Sequence, residues 1–375
     1  MHWTGTWTTA PAALEDFAFE NRTFRMIAHV SIGGSTVRAR FSNVHGKTPV
    51  RIASAAIARR RGGASIDAGS SRKLTFCGSP DVTIAPGALM VSDPASLDVA
   101  PLSDVAISFH LPDAHTHFSG HKTAKQTNFI SMPGDFVEAA DLPVADQAES
   151  WFCATAVEVV TPAGTPGLVA FGDSLTEANI SQADANHRWP DQLARRVVAQ
   201  WGAQGMGVMN QGIGGNRMLN DVTGDSGLKR FDRDVLAQPG VTHVIVLLGV
   251  NDLRNKRGGP AQEATAPGLI NGLNQFAIRA KSAGLKIYGG TLMPFENETF
   301  TPGVWTPDRD KVRLAVNQWI RTSGVFDAVV DFEAALRDPE SPTKLLPKWD
   351  CGDHLHPSDA GYLHMGDVVD LALFR

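Results

Sequence analysis

From about residue 20 to 160, apolar and polar residues alternate in short runs broken by Gly, Pro, Asn and Asp. Thr36-Val37-Arg38-Ala39-Arg40-Phe41 has the period of two expected of a half-exposed strand, and Val50-Arg51-Ile52-Ala53 and Val105-Ala106-Ile107-Ser108-Phe109 suggest others. No long amphipathic helix interrupts them, so this half is expected to form a β-sandwich. The texture changes across Val160-Thr161-Pro162-Ala163-Gly164-Thr165-Pro166-Gly167, whose Pro/Gly content marks a domain boundary. The expected domains are residues 1–160 and 161–375.

Beyond the boundary, strand-like apolar runs alternate with helical stretches, the pattern of a parallel sheet covered by helices. The strand candidates are Leu168 to Phe171, Gly207 to Asn210, Val241 to Leu248, Lys286 to Leu292 and Asp327 to Asp331. Helices are expected near Trp189 to Gln200, Ala266 to Ala283, Pro307 to Arg321 and Ser358 to Phe374. Val244-Ile245-Val246-Leu247-Leu248 is an unbroken apolar run, as in a strand buried on both faces, and is expected at the centre of the sheet.

Composition narrows the classes of function. Of 375 residues, 43% are hydrophobic and 19% charged, which excludes a disordered chain. The formal charge of −5, with no long basic run, disfavours a nucleic-acid partner. Arg59-Arg60-Arg61 lies in a Gly/Ser-rich stretch and is expected to be a solvated loop. Three scattered cysteines, Cys77, Cys153 and Cys351, make neither a disulfide framework nor a zinc site. No run of about 18 apolar residues exists, so no membrane span is expected. Met1-His2-Trp3-Thr4-Gly5 does not have the basic and apolar make-up of an export signal, and a protein exported after loss of a signal is equally compatible with this opening.

In open parallel sheets, chemistry gathers outside the carboxyl ends of the strands. The first strand run ends in Gly172-Asp173-Ser174-Leu175, the second in Asn210-Gln211-Gly212-Ile213-Gly214-Gly215-Asn216 and the third in Gly249-Val250-Asn251-Asp252; Asp353-His354-Leu355-His356-Pro357 precedes the last helix. A serine hydroxyl attacks well only when a base takes its proton and a third group fixes the tautomer of that base. His356 can be the base, and Asp353, three residues earlier, can reach the other nitrogen of the same ring. Backbone N–H groups of Ser174 and Gly215 and the side-chain amide of Asn251 are able to supply an oxyanion hole.

These four blocks resemble the SGNH (GDSL) hydrolase superfamily. Its pattern is Ser in Gly-Asp-Ser, a Gly after the second strand, Asn in Gly-x-Asn-Asp and His in Asp-x-x-His, matched in order by Ser174, Gly215, Asn251 and His356 with Asp353. Gly215 is chosen over Gly212 and Gly214 because family members have that glycine about five residues after the Asn of the block, here Asn210. The resemblance implies a flavodoxin-like three-layer α/β/α domain and a serine esterase that hydrolyses carboxylic esters through an acyl-enzyme, without metal or cofactor. Trp3-Thr4-Gly5-Thr6-Trp7-Thr8-Thr9-Ala10-Pro11 also resembles the opening of a bacterial subgroup in which a jelly-roll-like β-sandwich precedes the catalytic domain and which is commonly exported. The substrate class expected is a small-molecule or carbohydrate ester, with short acyl groups such as acetyl; the oligomeric state is left open.

Other readings compete at each position. Ser174 also suits a helix N-cap, and the three glycines superficially resemble a dinucleotide loop but lack the Gly-x-Gly-x-x-Gly spacing. His110, His115, His117 and His121 invite a metal reading; their expected setting is a β-hairpin with Pro112, Asp113 and Gly120 near the turn, and the resemblance to two-domain esterases, which often carry His near this place, implies loop or rim residues facing the active site. His354 is expected to line the site or face solvent, Trp349 to border the pocket, and Trp189 and Trp305 to supply packing area. A lysophospholipase or thioesterase of the same superfamily, and a non-catalytic glycan-binding protein, remain the alternative functions.

Overall fold

The computed structural model describes residues 1–254 and 263–375. It divides into two compact units, one formed by Met1–Pro166 with Ala183–Asn186 and Val197–Met209, the other by Gly167–Gln182, His187–Arg196 and Asn210–Arg375.

The first unit is built from antiparallel sheets. One has the strand order His2–Thr8, Ala154–Thr161, Gly34–Ser42 and Leu89–Val91, with Ala95–Val99 also paired to Gly34–Ser42. A larger one runs Val144–Ala148, Asn128–Pro133, Arg22–His29, Asp104–Leu111, Ser54–Gly62 and Ser65–Ile66. The alternation in Gly34–Ser42 sends Val37, Ala39 and Phe41 into the core, where they join Phe24, Phe109, Phe118 and Phe152. Phe24 stacks on Phe109 with centroids 5.4 Å apart, and Phe41 meets Phe109 edge-on at the same separation. Truncating one such ring would cost about 3–5 kcal/mol, so these aromatic positions anchor the unit. On the opposite face of the strand, Arg38 and Arg40 both bond the carboxylate of fully buried Glu158, at 2.7 and 2.9 Å.

Composition points to a solvated loop at Arg59-Arg60-Arg61, and the structure differs. Arg59, Arg60 and Arg61 are not in a loop; they end the strand Ser54–Gly62, and each meets its own carboxylate, Asp67 at 2.7 Å, Asp104 at 2.9 Å and Asp141 at 2.8 Å. The Gly/Ser residues that suggested a loop belong to the tight return into Ser65–Ile66.

Beyond Pro166 the chain forms a five-stranded sheet in the order Gly207–Gly212, Gly167–Gly172, Val241–Leu247, Lys286–Gly290, Ala328–Val330. The last three pairings are parallel, and the order by sequence, 2-1-3-4-5, is that of a doubly wound, flavodoxin-like sheet. Val244 to Leu248 are all buried, as their unbroken apolar run requires. Helices Trp189–Trp201, Ala266–Ser282, Pro307–Thr322 and Asp359–Val368 lie near the stretches where helices are expected. Thr265, Thr306 and Ser358 cap three of them by accepting backbone N–H bonds at 3.2 Å. The last candidate helix is shorter than expected: Val369 turns extended and Asp370 caps a separate 3₁₀ turn, Leu371–Phe374. Strand order reverses between Gly167–Gly172 and Val241–Leu247, and the residues just beyond those two strands are Asp173-Ser174 and Gly249-Val250-Asn251. No helix among the described residues is long and apolar enough to cross a membrane.

Candidate active site

Ser174 opens a one-turn helix, Ser174–Glu177, directly after the strand Gly167–Gly172. At the first position of a helix the backbone N–H has no intrahelical acceptor, so it is available to an anion. Asp173 caps the turn by accepting the Leu175 N–H at 3.0 Å, and Ala178 closes it in the left-handed region, with φ +59°. Burial pushes the Asp173 carboxyl up to about 7, against the smaller opposing effects of the Leu175 N–H and Arg254.

His356 lies between the other two members of the expected triad. Its Nε2 is 2.9 Å from Ser174 Oγ and its Nδ1 is 2.8 Å from Asp353 Oδ2. The second carboxylate oxygen, Oδ1, accepts the backbone N–H groups of Leu355 at 2.8 Å and His356 at 2.7 Å. Partial burial alone would raise the Asp353 carboxyl, but bonds from His356 and Leu355 outweigh it and hold the group well below the usual carboxylate range. An ionised carboxylate only accepts, so the imidazole proton sits on Nδ1 and Nε2 offers its lone pair to the serine hydroxyl. Ser174 and His356 are each 4% exposed, which removes most competing water from that contact.

The second and third blocks interlock around this pair. Ile213 N–H bonds the Gly172 carbonyl at 3.2 Å, and a Cβ on Gly212 would fall 2.3 Å from Glu177 N; the block therefore packs directly on the serine turn. Gly215 has φ +72°, a conformation other residues resist, in a turn closed by Asn216 N–H on Ile213 O at 3.0 Å. Asn251 bonds the Asn216 carbonyl through Nδ2 at 3.2 Å, while Asp252 accepts the N–H groups of Met218 at 2.8 Å and Leu219 at 3.0 Å. Burial raises the Asp252 carboxyl to about 6.

Sequence reasoning missed several organising residues. The fully buried Arg230 bonds Asn216 Oδ1 at 3.0 Å, Gln211 O at 2.8 Å, Gly172 O at 2.7 Å and Asp234 at 3.1 Å, tying two strand ends to the glycine-rich turn. Nothing in its local sequence signals this, because its partners come from strands 19 and 58 residues away. Arg254 donates to Asn251 Oδ1 at 2.8 Å and to Glu298 at 3.0 Å. Thr299 and Phe300 pack on the site: Thr299 N–H bonds Asp353 O at 3.1 Å, and the 56% exposed Phe300 meets the His356 ring edge-on at 5.3 Å.

Other expected residues lie apart from this centre or take structural roles. His354 is half exposed and bonds Asp350 at 2.6 Å. Trp349 stacks on His364 at 4.4 Å, and Trp189 is buried against Phe332. Burial pushes the Cys351 thiol up to about 12, so it is a poor nucleophile. His110, His115, His117 and His121 do not share a hairpin: Asp104–Leu111 and Phe118–His121 belong to different sheets. His110 bonds Asn21 at 2.9 Å, His117 bonds Thr116 at 2.9 Å and His121 bonds Ala10 O at 2.9 Å, and among the described residues they form no metal-binding group. Beyond Pro112 and Asp113 the chain enters a third, three-stranded sheet, with Phe118–His121 between Ala12–Leu14 and Trp151–Phe152.

The model of the GDSL-like lipase/acylhydrolase family matches residues 170–363, a stretch that contains Ser174, Gly215, Asn251, Asp353 and His356. The chain belongs to this family. As a GDSL-like acylhydrolase it is an ester-hydrolysing enzyme. It is similar, at low identity, to several solved structures. A GDSL-like lipase from Bacteroides thetaiotaomicron is 17% identical over 57% of this chain and 90% of its own, with a TM-score of 0.43. A lipase/acylhydrolase from Enterococcus faecalis is 22% identical over 54% and 93%, with a TM-score of 0.41. An acetylxylan esterase from Geobacillus stearothermophilus is 22% identical over 55% and 92%, with a TM-score of 0.40. No curated protein matches the chain.

Proposed function

We propose that the GDSL-like acylhydrolase is a carboxylic ester hydrolase in which Ser174, His356 and Asp353 work as a triad and the ester carries a short acyl group such as acetyl. The observation that carries this reading is His356, whose two ring nitrogens lie 2.9 Å from Ser174 Oγ and 2.8 Å from Asp353 Oδ2. In the first step Ser174 Oγ forms a bond to the acyl carbon as its proton passes to His356 Nε2, and the carbonyl π electrons move onto oxygen. The N–H groups of Ser174 and Gly215 and the amide of Asn251 receive that oxyanion. Collapse breaks the ester bond, and the leaving alcohol takes the proton from Nε2. Water then repeats the sequence on the acyl-serine, releasing the carboxylic acid and restoring Ser174.

The leaving oxygen must sit beside His356 Nε2, which puts the alcohol within reach of Phe300. An aromatic ring left 56% exposed at this point suits a ring-shaped alcohol such as a pyranose, so a carbohydrate or small-molecule ester is the substrate class we favour. We read residues 161–375 as the catalytic domain and 1–160 as an accessory β-sandwich domain. Hydrolysis of p-nitrophenyl esters from acetate to octanoate tests the assignment. Turnover is expected to fall as the acyl chain lengthens and to be lost in Ser174→Ala. A preference for acyl chains beyond about eight carbons would replace this reading by a lysophospholipase or thioesterase, and unchanged turnover in Ser174→Ala would overturn the triad.

A further inference from the structure

An asparagine in an oxyanion hole is two-faced. Rotated by half a turn about its last bond, it would present Oδ1, not Nδ2, to the developing negative charge and repel what it should stabilise. Something must therefore choose the orientation of Asn251, and its neighbours in the structure differ in how firmly they do so. The Asn216 carbonyl accepts from Nδ2 at 3.2 Å, a long bond that engages only one of the two amide hydrogens. On the other side Arg254 Nη1 approaches Oδ1 at 2.8 Å. A guanidinium has no acceptor, so it can face only the oxygen end of the amide.

Arg254 is itself fixed. It lies three residues after Asn251, at the C-cap of the short helix Val250–Leu253, where its backbone N–H bonds Val250 O at 3.1 Å. Spacing by three brings both side chains to one face. Its Nη2 bonds Glu298 Oε2 at 3.0 Å, with side-chain exposures of 12% for Arg254 and 1% for Glu298. The same Glu298 oxygen accepts the Thr301 N–H at 3.2 Å. Glu298 begins the segment that continues through Thr299, bonded to the Asp353 carbonyl, and Phe300, packed on His356. Three consecutive residues thus touch the oxyanion donor through Arg254, the acid of the triad and its base.

We propose that Arg254 and Glu298 are positioning residues for the proposed reaction: Glu298 holds Arg254, and Arg254 locks the amide of Asn251 with its remaining N–H directed to the oxyanion. The inference rests on the reading of Ser174 and Asn251 given above. The charged donor on Oδ1 also polarises the amide and strengthens its remaining N–H as a donor. Because the oxyanion exists in the transition state and not in the bound ester, the loss falls on kcat and spares KM.

A double-mutant cycle on the full chain with p-nitrophenyl acetate tests this. Arg254→Gln is expected to lower kcat about tenfold or more, part of the ~10²–10³ range for loss of a whole oxyanion donor, with KM unchanged within about twofold. In an Asn251→Ala background the same substitution is expected to change kcat less than about twofold, because its effect passes through the amide that is gone. Glu298→Ala should behave like Arg254→Gln, and Glu298→Gln, which keeps an acceptor for Arg254, should restore most of the rate. If Arg254→Gln fails to fold, Arg254→Lys, which keeps the charge but loses the fork, completes the cycle. Equal losses in both Asn251 backgrounds, or no loss in either, overturn the proposal. Activity surviving in Ser174→Ala instead overturns the reading of the site on which it rests.

Discussion

Replacing Asp353 by asparagine isolates the electrostatic and tautomeric role of the acid from its place in the fold. Asp353 uses its oxygens for separate tasks: Oδ1 accepts two backbone N–H groups at 2.8 and 2.7 Å, and Oδ2 faces His356 Nδ1 at 2.8 Å. The introduced amide can satisfy both N–H donors only with its own oxygen at the Oδ1 position. Its NH₂ group then faces Nδ1 and donates to it, which drives the ring proton to Nε2, the atom 2.9 Å from Ser174 Oγ. The base loses its lone pair in that direction, and the charge that stabilised the imidazolium is gone as well. A kcat loss on the order of 10³–10⁴, or about 4–5.5 kcal/mol of activation free energy, is the expected size for a tautomer-reversing substitution of this kind. Both backbone bonds survive, so the melting temperature should change little. The assay is steady-state hydrolysis of p-nitrophenyl acetate at neutral pH, with circular dichroism melting as the control for folding. Retention of more than about a tenth of wild-type kcat by a folded Asp353→Asn protein would refute the role given to Asp353.

Three further outcomes follow from the same geometry. Gly215→Ala forces an L-residue into φ +72° with its Cβ 3.2 Å from Thr223 Oγ1, so a stability loss of about 1–2 kcal/mol and a kcat fall of about tenfold are expected; wild-type kcat would show that the Gly215 N–H does not meet the oxyanion. Asp173, raised to about 7 by burial, binds its proton more tightly folded than unfolded, so its contribution to stability is full below about pH 4 and lost as pH rises through about 7. Asp173→Asn should therefore flatten the decline in melting temperature across that window, leaving the smaller part due to Asp252, and identical slopes for the two proteins would rule the mechanism out. Phe300→Ala should raise KM about three- to tenfold for an acetylated monosaccharide and leave KM for ethyl acetate unchanged, since a stacked ring contributes about 0.5–1.5 kcal/mol; equal effects on both esters would remove Phe300 from leaving-group recognition.

Much of the second unit was legible because its signals are local. Unbroken runs such as Val244 to Leu248 have the form of doubly buried strands, and the compact Asp353 to His356 spacing needs a single turn of chain to close its hydrogen bond. What stayed hidden depends on distance along the chain. Arg230 meets carbonyls of two strands, and Glu298 reaches Arg254 from 44 residues away, contacts that leave no periodicity or motif behind. In the first unit the strands around Val37 and Ile107 were readable from alternation. The histidines near residue 115 suggested a hairpin because sequence proximity resembles pairing, whereas the chain crosses from one sheet to another there. Arg59 to Arg61 misled for a related reason: composition described their neighbours, and the three carboxylates that hold them come from separate segments.

The account depends most on Ser174 being the nucleophile. A fluorophosphonate that reacts only with an activated serine, followed by mass analysis of proteolytic peptides, tests this directly. Stoichiometric labelling of the peptide containing Ser174, in step with loss of p-nitrophenyl acetate hydrolysis and absent from Ser174→Ala, is the predicted result. Labelling at another serine, with hydrolysis retained in Ser174→Ala, would contradict it.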